Sequence, residues 1–266
     1  MKQQVFHSQY DFVKAERKEK ITILFYQITL FVTFILGWEF FSNIHMINPF
    51  IFSSPSRIFS CFIQMTSNGT LFPHIGVTLF ETMISFLLLN IIAFCIATLL
   101  WWNTTFSKIV EPYLVVLNSL PKSALAPILI VWLGNNIKTI IIVAISVAIF
   151  GSILNLYSGF QGVEPDKIKL IETLKGSRLQ CFTYVILPSS IPLFISIMKV
   201  NIGLSLVGVI IGEFLAAKQG LGYLILYGSQ VFKLDWVLLS IVLLCLIAMG
   251  LYFVINQLEK WWSRLF

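Results

Sequence analysis

The residues able to coordinate a metal, attack a substrate or exchange a proton are few in this chain of 266 residues, and they are scattered. The three histidines, His7, His45 and His74, form no HExxH pair and lie near no cysteine cluster, so no metal ligand set assembles. The four cysteines, Cys61, Cys95, Cys181 and Cys245, show no CxxC spacing and read as structural thiols, three of them in or beside helices as small apolar residues. The segment GNNIKT, from Gly134 to Thr139, comes nearest to a phosphate-binding loop but lacks the second glycine. No catalytic residue, metal or cofactor is therefore expected. If a nucleotide energises this chain, another polypeptide hydrolyses it.

Two sets of polar residues remain. One is a polar island at 159–188, GFQGVEPDKIKLIETLKGSRLQCFTYVILP, set between long apolar runs. The other is a handful of polar side chains inside the apolar runs: Lys122, Ser123, Asn155, Lys199, Asn201, Ser205 and Glu213. Charge in a hydrocarbon environment is costly unless it faces a partner or a watery cavity. For Lys122 and Lys199 two readings stay open: attraction of an anionic solute, or a charge that snorkels or pairs with a carboxylate such as Glu111. Asn155, Asn201 and Ser205 suit hydrogen bonding between helices. Glu213 and Asp235 flank a glycine-rich segment, GEFLAAKQGLGYLILYGSQVFKLDW, where contact with an extracytoplasmic protein, gating of an outer mouth or plain solvation accounts for them.

These residues are carried by an unusually apolar chain. It is 58% hydrophobic and 11% charged, with a mean hydropathy of +0.89, which is the composition of a polytopic membrane protein. Crossing a bilayer core of about 30 Å takes about 20 apolar residues as helix. Six such stretches occur, at 21–41, 77–102, 110–133, 137–158, 189–212 and 235–256. None has the alternation of a barrel strand, so the expected fold is an all-α bundle of six transmembrane helices. The first run is too long for a signal peptide and ends without a small-residue cleavage site, which favours an uncleaved span.

Positive charge near span ends tends to stay on the cytoplasmic side. With the N-terminus inside, the inner segments hold Lys2, Lys14, Arg17, Lys18, Lys20, Lys108, Lys167, Lys169, Lys175, Arg178, Lys260 and Arg264, against Arg57, Lys138, Lys218 and Lys233 outside. Both termini and the island are thus expected in the cytoplasm. The formal charge of +6 reflects this topology. No nucleic-acid partner is expected, because the basic residues form no aromatic-interleaved face; the partner that composition does imply is membrane lipid.

Proline and glycine punctuate the spans. Pro55 precedes a short amphipathic segment, Ser56 to Met65, expected at the outer surface. Pro121 and Pro127, in SLPKSALAP, must break or bend the third span, which places it among neighbours that satisfy its freed backbone groups. The glycine-rich segment before the last span is too broken to cross the bilayer and reads as short helices packed on the bundle. In the island, Pro165 and Asp166 signal a helix start. Ile168, Ile171, Leu174 and Leu179 then follow at helical spacing, with Gly176 interrupting, so a short amphipathic helix, a turn and a second short helix are expected.

The island resembles the cytoplasmic coupling motif of ABC importer permeases, E-A-A-x3-G-x9-I-x-L-P. Leu187 and Pro188 match its closing pair, and Val185 stands at its Ile. Lys175 occupies its glycine, with a glycine displaced to Gly176, and Lys169, Leu170 and Ile171 replace its E-A-A. Three further segments are similar to the subgroup importing nitrate, sulfonate, taurine, bicarbonate and thiamine precursors. They are Ser54-Pro55-Ser56, LPKSALAPILIVWLG from Leu120 to Gly134, and GEFLAAKQGLGYLI from Gly212, while Glu81 and Ser85 stand where Arg and Gly are common.

This resemblance implies a type I ABC importer permease (MetI-like) fold in the plasma membrane of a bacterium. The implied partners are a second copy of the chain, two cytosolic ABC ATPase subunits that bind ATP, and an extracytoplasmic solute-binding protein. Residues 1–20 are then a cytoplasmic segment, 21–258 a single permease domain with coupling helices at 164–188, and 259–266 a cytoplasmic tail. ATPase coupling falls to Asp166, Leu170, Ile171, Glu172, Leu174, Lys175, Gly176, Ser177, Arg178, Leu187 and Pro188. The translocation pathway falls to Lys122, Ser123, Lys199, Asn201 and Glu213. A membrane scaffold or sensor that recruits another cytosolic partner, or a passive channel, is the alternative.

Overall fold

The computed structural model describes residues 9–262. Lys2, His7 and Arg264, and the outer parts of the expected N-terminal segment and tail, lie outside the described residues. All regular elements among the described residues are helical. They fall into two compact units, one ending at Ile63 and the other beginning at Gln64.

The first unit is built on α1 (Gln9–Asn43), α2 (Pro49–Phe52) and the start of α3 (Pro55–Ser67). The apolar residues of α1 are exposed along most of its length, as suits a helix whose solvent is lipid. At its end Glu39 accepts hydrogen bonds from the Ser56 backbone N–H at 3.0 Å and the Ser56 hydroxyl at 2.8 Å. Ser42 donates to the Ser53 carbonyl at 3.2 Å. The Ser54-Pro55-Ser56 turn is thereby fixed as the start of α3, the amphipathic helix expected there.

In the second unit α4 (Leu71–Trp102), α7 (Ile137–Gln161) and α10 (Leu187–Ala216) form the core, with α7 packed most extensively against the other two. Apolar surface gives little drive for association in lipid, so helices there gain from close backbone approach at small residues. Gly208 of α10 supplies it: a Cβ at this position would stand 2.6 Å from the Ala144 Cα. Around the remainder of the contact, Leu89, Ala93 and Ala97 of α4 bury against Ile153, Leu156 and Phe160 of α7.

The third expected span is two helices, α5 (Thr104–Ser119) and α6 (Lys122–Leu133), bent by 97° at a break that Pro121 occupies. Pro112 and Pro127 sit within α5 and α6 without stopping either. α11 (Leu221–Gln230) is the short helix expected in the glycine-rich segment and packs on α12 (Leu234–Trp262), α10 and α4. Among the described residues five helices are long and apolar enough to cross a membrane, and six spans result when α5 and α6 count as one.

Candidate functional site: a two-helix elbow and a polar cavity

The polar island folds as α8 (Pro165–Thr173), α9 (Arg178–Cys181) and a π turn, Phe182–Ile186, that runs into α10. α8 closes with the Gly176 N–H donating to the Ile171 carbonyl at 2.8 Å and the Lys175 N–H donating to the Glu172 carbonyl at 2.9 Å. This is the Schellman arrangement, in which the residue after the cap adopts a left-handed backbone and is usually glycine. Here that residue is Lys175, at φ 58°. The position that matches the motif's glycine is therefore the one whose backbone calls for glycine, and the displaced Gly176 answers a different need. A Cβ on Gly176 would stand 2.5 Å from Ile171 Cγ2 and 3.0 Å from the Ile171 carbonyl. Lys175→Gly is accordingly expected to stabilise the turn by about 1 kcal/mol. A raised thermal midpoint of the isolated chain checks this, and a lowered one contradicts it.

α9 starts on a capping box. The Gln180 N–H donates to Ser177 Oγ at 3.3 Å, and the Ser177 N–H donates to Gln180 Oε1 at 2.7 Å. Arg178 lies over the Trp101 ring, 5.3 Å from its centroid, and donates to the Trp101 carbonyl at 3.1 Å, which ties the elbow to the end of α4. The π turn comes immediately before Leu187 and Pro188. Proline offers no N–H and its ring crowds the carbonyl four residues back, so a widened turn at this point accommodates it.

The elbow sorts its apolar residues differently from the spacing alone. Ile168 and Ile171 pack against the bundle core, as do Val185 and Leu187. Leu170, Leu174 and Leu179 point away from it, 60%, 71% and 60% exposed. Leu170 and Leu174, four residues apart, share one helix face. Beside them Asp166 and Lys169 form an exposed pair at 3.4 Å, and Glu172 remains exposed. The elbow thus presents exposed apolar side chains with a charged border and is held by a cap, a capping box and a cation–π contact.

The second feature is a cavity of about 510 Å³ between the α5–α6 break, α7 and α10. Its polar lining includes Asn118, Lys122, Ser152, Asn155, Ser196 and Asn201. Lys122 donates to Asn118 Oδ1 at 3.3 Å across the break. Behind them Ser152 donates to Asn201 Oδ1 at 2.7 Å, and the Asn201 amide donates to Asn90 Oδ1 at 2.9 Å. Of the pathway residues expected from sequence, the fold brings Lys122 and Asn201 together here. Ser123 follows Lys122 in the first turn of α6 and is exposed. Lys199 reaches α12 instead, where it is ion-paired to Glu259 and donates to Asn256 Oδ1 at 3.2 Å. Its carboxylate partner is thus Glu259 rather than Glu111. Asn118 carried no signal in the sequence beyond lying four residues before Lys122, on the far side of the break.

Glu213 lies apart from the cavity and is fully buried. It accepts from the Thr78 hydroxyl at 2.6 Å and from the Gly222 N–H at 2.6 Å, with the Tyr223 N–H at 3.3 Å. Thr78 in turn accepts from the Leu221 N–H at 2.8 Å, and His74 Nδ1 accepts from the Gly220 N–H at 3.0 Å. The first turn of α11 is therefore capped by side chains of α4 and α10. Gly220, at φ 122°, and Gly222 leave the space that the Glu213 carboxylate fills. Glu81, also buried, adjoins Glu213.

Comparison with known proteins agrees with this geometry. The family model described as binding-protein-dependent transport system inner membrane component matches residues 90–265. A probable ABC transporter permease protein of Haemophilus influenzae is 26% identical over 221 residues, 83% of this chain and 89% of that protein. The formylaminopyrimidine transport permease protein ThiX of Halalkalibacterium halodurans is 29% identical over 194 residues, covering 73% and 76%. The putative aliphatic sulfonates transport permease protein SsuC of Bacillus subtilis is 22% identical over 211 residues, covering 79% and 76%. Among solved structures, an inward-facing MetNI methionine ABC transporter superposes with a TM-score of 0.62 at 16% identity, over 71% of this chain and 94% of that one. The fold is that of the MetI-type importer permeases. With its bent third span, its elbow before Leu187-Pro188 and a match over residues 90–265, this chain belongs to the family of binding-protein-dependent transport system inner membrane components.

Proposed function

We propose that the chain is the transmembrane subunit of an ATP-driven importer, working as a pair of identical copies. In this reading an extracytoplasmic binding protein delivers a small solute and two cytosolic ABC ATPase subunits grip the α8–α9 elbows. Both termini and the elbow then lie in the cytoplasm. The observation that carries the reading is the exposed ridge of Leu170, Leu174 and Leu179 on a rigidly capped elbow. An apolar ridge bordered by charge calls for a complementary cleft on a water-exposed partner. An elbow seated in such a cleft moves when nucleotide closes the ATPase pair. Because the chain continues from α9 through the π turn into α10, that movement tilts a core helix.

The solute in this reading is of the sulfonate, taurine, nitrate-like oxyanion or thiamine-precursor type; relatives are named for transport of aliphatic sulfonates, taurine and formylaminopyrimidine. ATP hydrolysis belongs to the partner subunit. Co-expression of the full chain with its cognate ATPase, followed by affinity purification from membranes, tests the proposal. A complex of two permease copies with two ATPase subunits is the expected result. Recovery of the chain alone, or with a partner that hydrolyses no ATP, favours the scaffold alternative.

A further inference from the structure

We infer that the cavity between the α5–α6 break, α7 and α10 is a solute site within the permease itself, built for a solute with a single anionic head of the sulfonate, carboxylate or nitrate kind. The inference rests on the importer reading and narrows its solute class.

The charge of the lining decides the sign. Lys122 is the one cation among the lining residues, and no aspartate or glutamate shares the cavity with it. Its ammonium donates to the neutral amide oxygen of Asn118, and a second or third acceptor fits its remaining N–H groups. A half-buried ammonium with no carboxylate beside it is stabilised by an anion brought to it. Lys199 of α10 differs on this point because it is already ion-paired to Glu259.

Backbone geometry acts in the same direction. Lys122 is the first residue of the twelve-residue helix α6, which begins at the break and has no side-chain cap at its N-terminus. The positive end of the helix dipole and the N–H groups of Lys122 and Ser123 are thus beside the ammonium. Neutral donors complete the site. Asn155 lines the cavity and is exposed. Asn201, 2% exposed, is held in place by Ser152 and Asn90. The volume of about 510 Å³ is within the range of small-molecule sites. It takes a head group with a short tail and accompanying water. A pyrimidine without charge would leave the ammonium uncompensated, so the site favours the anionic classes over the thiamine-precursor type.

The full chain in phosphatidylcholine nanodiscs is titrated with methanesulfonate, nitrate, the uncharged isostere dimethyl sulfone, and tetramethylammonium, with binding read by calorimetry and thermal stabilisation. Methanesulfonate and nitrate are expected to bind and the other two are not. Lys122→Gln is expected to weaken methanesulfonate by about tenfold or more, and Lys122→Arg to retain most of the affinity. Repeating the titration with phosphatidylglycerol in the disc separates a free anion from a lipid headgroup. Unchanged affinity supports the solute site, whereas loss of methanesulfonate binding assigns the cavity to lipid phosphate and overturns it. Dimethyl sulfone binding as well as methanesulfonate, no binding by any anion, or a Lys122→Gln chain equal to the unsubstituted one also overturns it. Capture of the ATPase by the unsubstituted chain is scored separately. Failure of the titration with ATPase capture intact removes the anion site alone, and failure of capture removes the importer reading.

Discussion

Leu174→Asp is expected to weaken capture of the ATPase by about thirtyfold or more. Leu174 is 71% exposed on the elbow, although it is a large apolar side chain. If it fills a pocket on the ATPase it belongs to the class of buried anchors whose loss costs about 2 kcal/mol or more. A carboxylate adds the cost of carrying charge into that pocket. Since Leu174 is the C-cap of α8 and faces outward, the substitution leaves the Schellman bonds of Lys175 and Gly176 in place. The fold should survive, and a thermal midpoint close to that of the unsubstituted chain separates lost docking from lost folding. Gly176→Val is expected to reach the same loss by another route. Its side chain would meet both Ile171 Cγ2 and the Ile171 carbonyl and force the turn between α8 and α9 open. Affinity of the purified chain for the ATPase, measured for each variant, checks both. Unchanged affinity for Leu174→Asp removes the ridge from the docking surface.

Glu213→Ala is expected to lower the thermal midpoint by about 6–12 °C. The carboxylate is fully buried and accepts from Thr78, Gly222 and Tyr223 at once. Alanine orphans those donors and leaves unfilled the space that Gly220 and Gly222 surround. Each buried donor without a partner costs about 1–3 kcal/mol, so a total of about 3 kcal/mol is a conservative sum, and at this chain length each kcal/mol moves the midpoint by about 2–4 °C. Glu213→Gln keeps an acceptor and the shape, and is expected to lose less than half as much. The loss should localise to the start of α11, where proteolysis between Ala217 and Gly220 rises in the alanine variant. A midpoint within about 1 °C of that of the unsubstituted chain would contradict the capping role.

How much of this was legible in the sequence depends on the range of the interaction. The spans, the amphipathic α3, the short α11 and the helix–turn–helix of the island follow from apolar run length, proline and glycine, which act locally. The break at Pro121 was legible for the same reason, although proline alone does not separate it from Pro112 and Pro127, which their helices tolerate. Side-chain direction was less so. Ile168, Ile171, Leu174 and Leu179 look alike as a spaced set, yet the Schellman turn redirects the chain and leaves the first two inward and the last two outward. Lys175 shows what spacing can still carry: matched to a glycine by counting alone, it has the left-handed backbone for which glycine is usual.

Contacts between distant elements were hidden. The Lys199–Glu259 pair joins residues of α10 and α12, and the capping of α11 joins Thr78, Glu213 and Leu221 through three helices. The cavity needs α5, α6, α7 and α10 in place before Asn118, Lys122 and Asn201 face a common space. No periodicity encodes such meetings, because each is set by how helices cross. Glu213 is the clearest instance. Its position beside a glycine-rich segment suggested a mouth or a solvated surface, and the fold makes it an internal cap.

If the α8–α9 elbow carries the work of ATP hydrolysis into this chain, uptake by the reconstituted complex depends on it. The chain, its cognate ATPase and its binding protein are placed in proteoliposomes, and entry of the binding protein's own ligand is followed with ATP present or absent on the ATPase side. Accumulation is expected to require ATP and to be abolished by Leu174→Asp while the chain stays folded. Accumulation without ATP, or ATP-driven accumulation undiminished by Leu174→Asp, contradicts it.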